Sequence, residues 1–195
     1  MGELVHVSKV KVCKEPGKGK IKKAYIEGFP EPIRMGVHGG IKKFFGVESG
    51  EDLPATLDYL VAAVGSCLTG TLAGALEARS IPSEPDKVSA EVEGYIENVE
   101  SKPLVTRIHV KYRLKVPKGK KAEAQRAIDH HEKNCAVSQN YPPRHYHRVR
   151  RRDRRRIKRF LSRIPISRAG RKRSAIVGTP RFYPVRIWWS AILPI

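Results

Sequence analysis

Thiols are the groups in this chain best suited to chemistry, and two of the three are placed to use it. Cys67 lies in the apolar run LDYLVAAVGSCLTGTLAGAL and Cys135 in HHEKNCAVSQ, 68 residues further on. Each falls on the expected inward face of a helix. Neither belongs to a Cys-x-x-Cys pair, so zinc-knuckle and thioredoxin-type motifs are not supported. Two isolated thiols held in one core suggest dithiol/disulfide chemistry. In such chemistry a thiolate cleaves a peroxide O–O bond and becomes a sulfenic acid. A second thiol then condenses with it before over-oxidation can occur. An apolar helix would raise the pKa of Cys67 and leave it inert unless a cation lowers it again. The only arginine ahead of Cys67 is Arg34, in PEPIRMGVHGG. Its planar fork could hold a thiolate and a peroxide oxygen together, so Arg34 is the expected activator, with a solvated loop arginine as the alternative. Cys13 is expected to be a small core residue on a first strand. His130 and His131 diverge by about 100° on a helix and have no further ligand at metal spacing, so no metal site is expected. His131, one turn before Cys135, is expected to pack, with tuning of that thiol as the alternative.

The elements that must position these groups follow from periodicity. LVHVSKVKV alternates with a slip in its middle, KEPGKGK turns, and IKKAYIEGF returns, which reads as a hairpin. The Gly- and Pro-rich stretch that follows reads mostly as loop, with a short strand near Ile33 to Val37. A long helix is expected from Asp52–Thr56 to about Arg79, where SIPSEP stops it. Its leucines and valines cover much of the circumference, so it should be central rather than a surface amphipath. Gly70 and Gly74 should allow close packing against a neighbour. DKVSAEVEGYIENV and LVTRIHVKYRLKV alternate as two half-buried antiparallel strands. A second helix is expected from Gly119 to Asn134, with Ala124, Ile128, His131 and Cys135 on one face. The class is α+β: an antiparallel sheet with a long central helix and a second helix.

Composition divides the chain of 195 residues. The net charge is +20, but from Asn140 onward there are 17 Lys/Arg, 15 of them Arg, against Asp153 alone. Glu disappears there, and both tryptophans appear. We therefore read residues 1–139 as a domain and 140–195 as an Arg-rich tail, disordered or produced by a shifted reading frame. In that case the domain would lack a closing strand and leave a sheet edge unpaired. The rival reading is a tail selected to bind nucleic acid through its charge. An odd number of cysteines without a secretory leader points to a reducing, cytoplasmic setting. Residues Tyr59 to Leu76 carry no charge over 18 positions, but their many small and polar residues favour a buried soluble helix over a membrane span.

The segment LDYLVAAVGSCLTGTL, followed by strands, a helix and NCAVSQ, resembles the OsmC/Ohr family of osmotically inducible and organic hydroperoxide resistance proteins, over roughly residues 5 to 139. The resemblance implies an intertwined homodimer with sites at the subunit interface and thiol peroxidase activity toward organic hydroperoxides. It implies no bound cofactor, with re-reduction by an external dithiol such as a lipoyl group. It also implies that Cys67 is peroxidatic and Cys135 resolving. In active members an Arg of the N-terminal sheet region and a Glu just upstream of the first Cys activate the thiol. Here the nearest acid is Asp58, one methylene shorter and nine residues from Cys67; a helix-start carboxylate is its other reading. Some members of the family lack clear peroxidase activity, so a non-catalytic binder of small apolar ligands is a further alternative.

Overall fold

The computed structural model describes residues 2–17, 20–140 and 186–192, the last stretch mainly by its backbone. The first sheet is an antiparallel meander of β1 (Val10–Lys14), β2 (Lys22–Ile26) and β3 (Ile33–Met35), in that order. The strand expected from Leu4 begins only at Val10. β2 is five residues long, its last residue Ile26 pairs with Val10, and nothing remains to pair with Leu4, Val5 and Val7, which stay exposed. A short helix, α1 (Gly39–Phe44), occupies part of the expected loop.

The long helix α2 spans Thr56–Glu77. β4 (Val88–Val99) and β5 (Lys102–Leu114) follow as an antiparallel hairpin. Their two-residue connection puts Glu100 and Ser101 at φ of 49° and 60°, the left-handed pair that matches strand twist in a tight hairpin. β5 then pairs in parallel with β6 (Arg186–Ile192), so the β5 edge expected to lie open is occupied. The expectations of disorder, a shifted frame and nucleic-acid binding in the tail otherwise fall outside the described residues.

The expected second helix divides into three pieces. α3 (Lys121–His130) gives way to a 3₁₀ turn (His131–Asn134), Cys135 is extended, and α4 (Ala136–Gln139) follows. The inward residues nevertheless fall as the periodicity requires: Ala124, Ile128, His131 and Cys135 are all buried.

One main core forms where α2 lies on β4 and β5 with α3 and its sequel on the other flank. Val64, Leu68, Leu72 and Leu76, spaced four apart, supply its helical stripe. The helix is central to the core as expected, but one side is open: Ala62, Ala63, Ser66, Gly70 and Gly74 face outward. A Cβ on Gly70 or Gly74 would meet nothing within 4 Å, so the close packing expected of that pair is absent among the described residues. It occurs instead at Gly65, where a Cβ would lie 2.5 Å from Val92 Cγ2, and at Gly94 against Val61. By length and composition alone α2 could cross a membrane; it also packs its leucine stripe as a core helix does.

Candidate functional site: a buried thiol pair

α2 positions Cys67 beside the leucine stripe, on the flank turned toward α3 and α4. The side chain is partly buried and packs against the core cluster that contains Cys135. It borders the outward face of the helix, two and three turns of which are lined only by alanine, serine and glycine. The threonines nearby satisfy their hydroxyls on the helix itself: Thr71 donates to Cys67 O at 2.8 Å and Thr69 to Gly65 O at 2.8 Å. They present no competing donor to the sulfur.

Cys135 is held more tightly. The 3₁₀ turn ends the α3 spiral, and the Cys135 N–H donates to Glu132 O at 3.0 Å. The extended backbone then makes Cys135 the N-cap of α4, so its Sγ accepts the Ser138 N–H at 3.4 Å. A sulfur takes here the capping position usually held by a serine or aspartate oxygen. The Ser138 hydroxyl donates to Cys135 O at 3.1 Å and to Glu132 O at 3.2 Å, fastening the turn. Cys135 is fully buried, and the Cys67 side chain packs against the same core cluster, close enough to lower the Cys135 pKa. Burial alone would push the Cys135 thiol up. The Ser138 N–H and the Cys67 thiol outweigh it, with the Ser138 hydroxyl and the Val137 N–H, and hold Cys135 below the usual thiol range.

Beneath the thiols sits a buried polar pair. Nδ1 of His131 lies 2.7 Å from Ile128 O and so carries the proton it donates. Nε2 is then the acceptor, and the Tyr112 hydroxyl donates to it at 2.9 Å. Burial holds His131 below the ordinary imidazole range, and keeps Tyr112 protonated by raising it, helped by the neighbouring Cys135. His131 thus packs, as expected, and fixes Tyr112 as well. Sequence reading missed Tyr112, taken only as an inward strand residue, and Ser138. The spacing Cys135-x-x-Ser138 was the available signal for the cap.

Arg34 and Asp58 lie elsewhere. The Arg34 fork is filled by two carboxylates: Glu15 at 3.1 and 3.3 Å, and Glu51 at 3.0 and 2.8 Å. Those hydrogen bonds, Glu51 first, raise the guanidinium pKa, and Arg34 in turn holds Glu15 below the usual carboxylate range. Its carbonyl accepts from the Tyr59 hydroxyl at 3.1 Å, which ties Arg34 to the first turn of α2. Asp58 is in that turn too. Its Oδ2 accepts the Ala55 N–H at 2.6 Å and lies 2.7 Å from His38 Nε2. That is the helix-start role. Asp58 and Cys67 share one unbroken helix and are separated by about 13.5 Å of rise. Within one chain the fold brings Cys67 and Cys135 together and brings neither Arg34 nor Asp58 to them. Cys13 is on β1, partly exposed, and outside the core it was expected to join, because β1 packs only on β2.

A groove of about 730 Å³ opens between α2 and β4, lined by Val61, Gly65, Ser66 and Val92 with Asp58 among them. Cys67 is about 200° around the helix from Gly65, so this groove is on a different flank from the thiols. Among the described residues no group of three or more His, Cys, Asp or Glu is arranged to hold a metal ion.

Comparison with known proteins bears on the fold. The sequence model of the family described as "OsmC-like protein" matches residues 49–143, a stretch that contains both Cys67 and Cys135. Similar folds include an OsmC-like protein from Mycoplasma pneumoniae, 12% identical with a TM-score of 0.56, covering 97% of this chain and 99% of that one. A hypothetical protein from Aquifex aeolicus is 12% identical with a TM-score of 0.53, covering 98% and 100%. An OsmC-like protein of unknown function from Vibrio cholerae is 13% identical with a TM-score of 0.56, covering 70% and 94%. At these identities the likeness concerns the fold. No curated protein matches the sequence.

Proposed function

We propose that this chain, a member of the OsmC/Ohr family through its residues 49–143, is a thiol-dependent peroxidase for organic hydroperoxides. One observation carries the reading: thiols 68 residues apart in sequence meet inside the fold, one at the edge of an outward helix face, the other buried and capped. Cys67, the more accessible of the two, attacks the peroxide. Its sulfur takes the terminal oxygen, the O–O bond breaks, and an alcohol leaves. The Cys67 proton passes through solvent to the departing alkoxide, which so leaves as the alcohol. Cys135 then attacks the sulfenic sulfur, the sulfenic hydroxyl leaves as water with a proton from Cys135 or solvent, and a Cys67–Cys135 disulfide remains. An external dithiol, of lipoyl type by family resemblance, returns both thiols in a cytoplasmic setting. The buried position of Cys135 suits a resolving thiol, shielded from peroxide and present at once when the sulfenate forms.

Assembly as a homodimer belongs to the same reading. The apolar residues Val10 and Val12 on β1 are half exposed, and the small-residue face of α2 is uncovered among the described residues. A second copy would cover both. Arg34 and Asp58 would then act, if at all, across the subunit boundary.

The test is a thiol count. The reduced protein, treated with cumene hydroperoxide, should lose two thiols per chain, keep Cys13, and yield a Cys67–Cys135 linked peptide by mass spectrometry. Cys67→Ser should lose none, and Cys135→Ser should leave a sulfenic acid that dimedone traps. Survival of all three thiols in the wild-type protein would instead favour a non-catalytic OsmC-like binder.

A further inference from the structure

At the opposite end of α2 from its proline-stopped terminus, a second cavity of about 340 Å³ sits between β2, α1 and the start of the helix. Its floor is apolar: Val37, Ile41 and Ala55 are buried there and form a small core of their own, with Leu57 packed against it. Its mouth is basic. Lys20 and Lys22 line it, and the Lys20 ammonium stands 4.1 Å over the ring of Phe45, another lining residue. No residue lining the cavity is acidic.

Most lysines nearby are neutralised: Lys23 by Glu15, Lys42 by Asp52, Lys9 by Glu27. Lys20 and Lys22 have no ion pair with a described carboxylate. Neither does Lys14, which is directly opposite Lys22 in the β1–β2 ladder and therefore on the same face. Like charges directly opposed across a ladder destabilise the pair. Lys20 and Lys22 at the rim of an apolar cavity, with Lys14 opposite Lys22 in the ladder, make a cationic mouth that an anion would complete. A space of this size is at the small end of the range for ligand sites, roughly 300–1,000 Å³.

We infer that this cavity binds a small amphipathic carboxylate, its head between Lys20 and Lys22 with Lys14 behind, its short alkyl or aryl tail against Val37 and Ile41. The geometry excludes a bare inorganic anion as the best occupant, since that would leave the apolar floor open to water. It excludes a neutral lipid for want of anything to satisfy the lysines. The site is separate from the thiols: Leu57 and Cys67 are ten residues, about 15 Å, apart on α2. The inference does not rest on peroxidase activity.

Titration calorimetry of the full chain with octanoate tests it, with hexanoate, octanol and phosphate as comparisons. Octanoate should bind at least tenfold tighter than octanol or phosphate. From hexanoate to octanoate each methylene should add about three- to fourfold, as burial of a methylene group does. Lys20→Gln/Lys22→Gln should weaken octanoate at least tenfold. Lys118→Gln/Lys121→Gln, which removes the same charge elsewhere, should leave it unchanged, with thermal melts confirming that both variants fold. Equal binding by the two double variants, or equal binding of octanoate and octanol, would overturn the inference, as would no saturable binding of octanoate at all.

Discussion

Acidification should destabilise this protein through one buried imidazole, by an amount that can be worked out. His131 is 1% exposed, donates from Nδ1 to Ile128 O and accepts from Tyr112 at Nε2. A proton added at Nε2 would displace the Tyr112 donor and put a charge in the core, which is why burial lowers the His131 pKa. The unfolded chain has no such restriction and takes up the proton near pH 6.5. Below that pH the unfolded state binds more protons than the folded one, so stability is fully present above about 6.5 and falls as the pH drops toward the folded pKa. At pH 5.5 the loss is at most about 1.4 kcal/mol, the limit for one proton at one unit below the unfolded value. Cys135 acts with the same sign but in a higher window. Its folded pKa is lowered, so its contribution is complete above the unfolded thiol value of about 8.5 and declines as the pH falls from there. A double variant separates the two: Tyr112→Phe/His131→Leu removes both hydrogen-bonding partners at once and leaves apolar groups, a change that can be nearly neutral at pH 7. Urea unfolding at pH 7.5, 6.5 and 5.5, at one protein concentration, should show wild type losing up to about 1 kcal/mol more than the double variant over the lower unit. Parallel pH profiles for the two proteins would refute the assignment of His131 as the acid-sensitive group.

Two further outcomes follow from the packing. Gly65→Ala should cost about 1–3 kcal/mol through overpacking, because its Cβ would be 2.5 Å from Val92 Cγ2; Val92→Ala in the same chain should recover most of the loss in a thermal melt, and failure to do so would move the cause elsewhere. Val10→Lys/Val12→Lys places charge on exposed β1 positions that one folded chain does not use, so stability within the chain should be unaltered while the proposed homodimer dissociates; light scattering that shows the same mass for both proteins would exclude that face from the interface.

How much of this was legible in sequence depends on what each signal reports. Periodicity reports which face of an element meets the core. It therefore located α2 and the alternation of β4 and β5, and it put Ala124, Ile128, His131 and Cys135 on one inward line even though the backbone there is not one helix. It does not report whether a partner strand is long enough, so it extended β1 to Leu4 while β2 stops at Ile26. Nor does it distinguish an apolar face buried in the same chain from one left open. That is why α2 read as central all round and Gly70 and Gly74 read as packed. The α+β class could be read because it needs only the order of the elements.

The same distinction explains the uneven reading of the site. Cys67 and Cys135 were found because both are inward and apolar in context, and intrachain packing is what brings them together. Arg34 and Asp58 were chosen by charge type and by position in a family pattern, and charge type says nothing about which partner is nearest. Glu15 and Glu51 saturate one, Ala55 and His38 engage the other, at distances that leave neither free for a sulfur two turns or more along α2. The Ser138 N–H, which donates to Cys135 Sγ at 3.4 Å, helps to hold that sulfur below the usual thiol range, as does the neighbouring Cys67. In a single chain, then, the sulfur held below the usual thiol range is the buried one, although burial by itself would raise it.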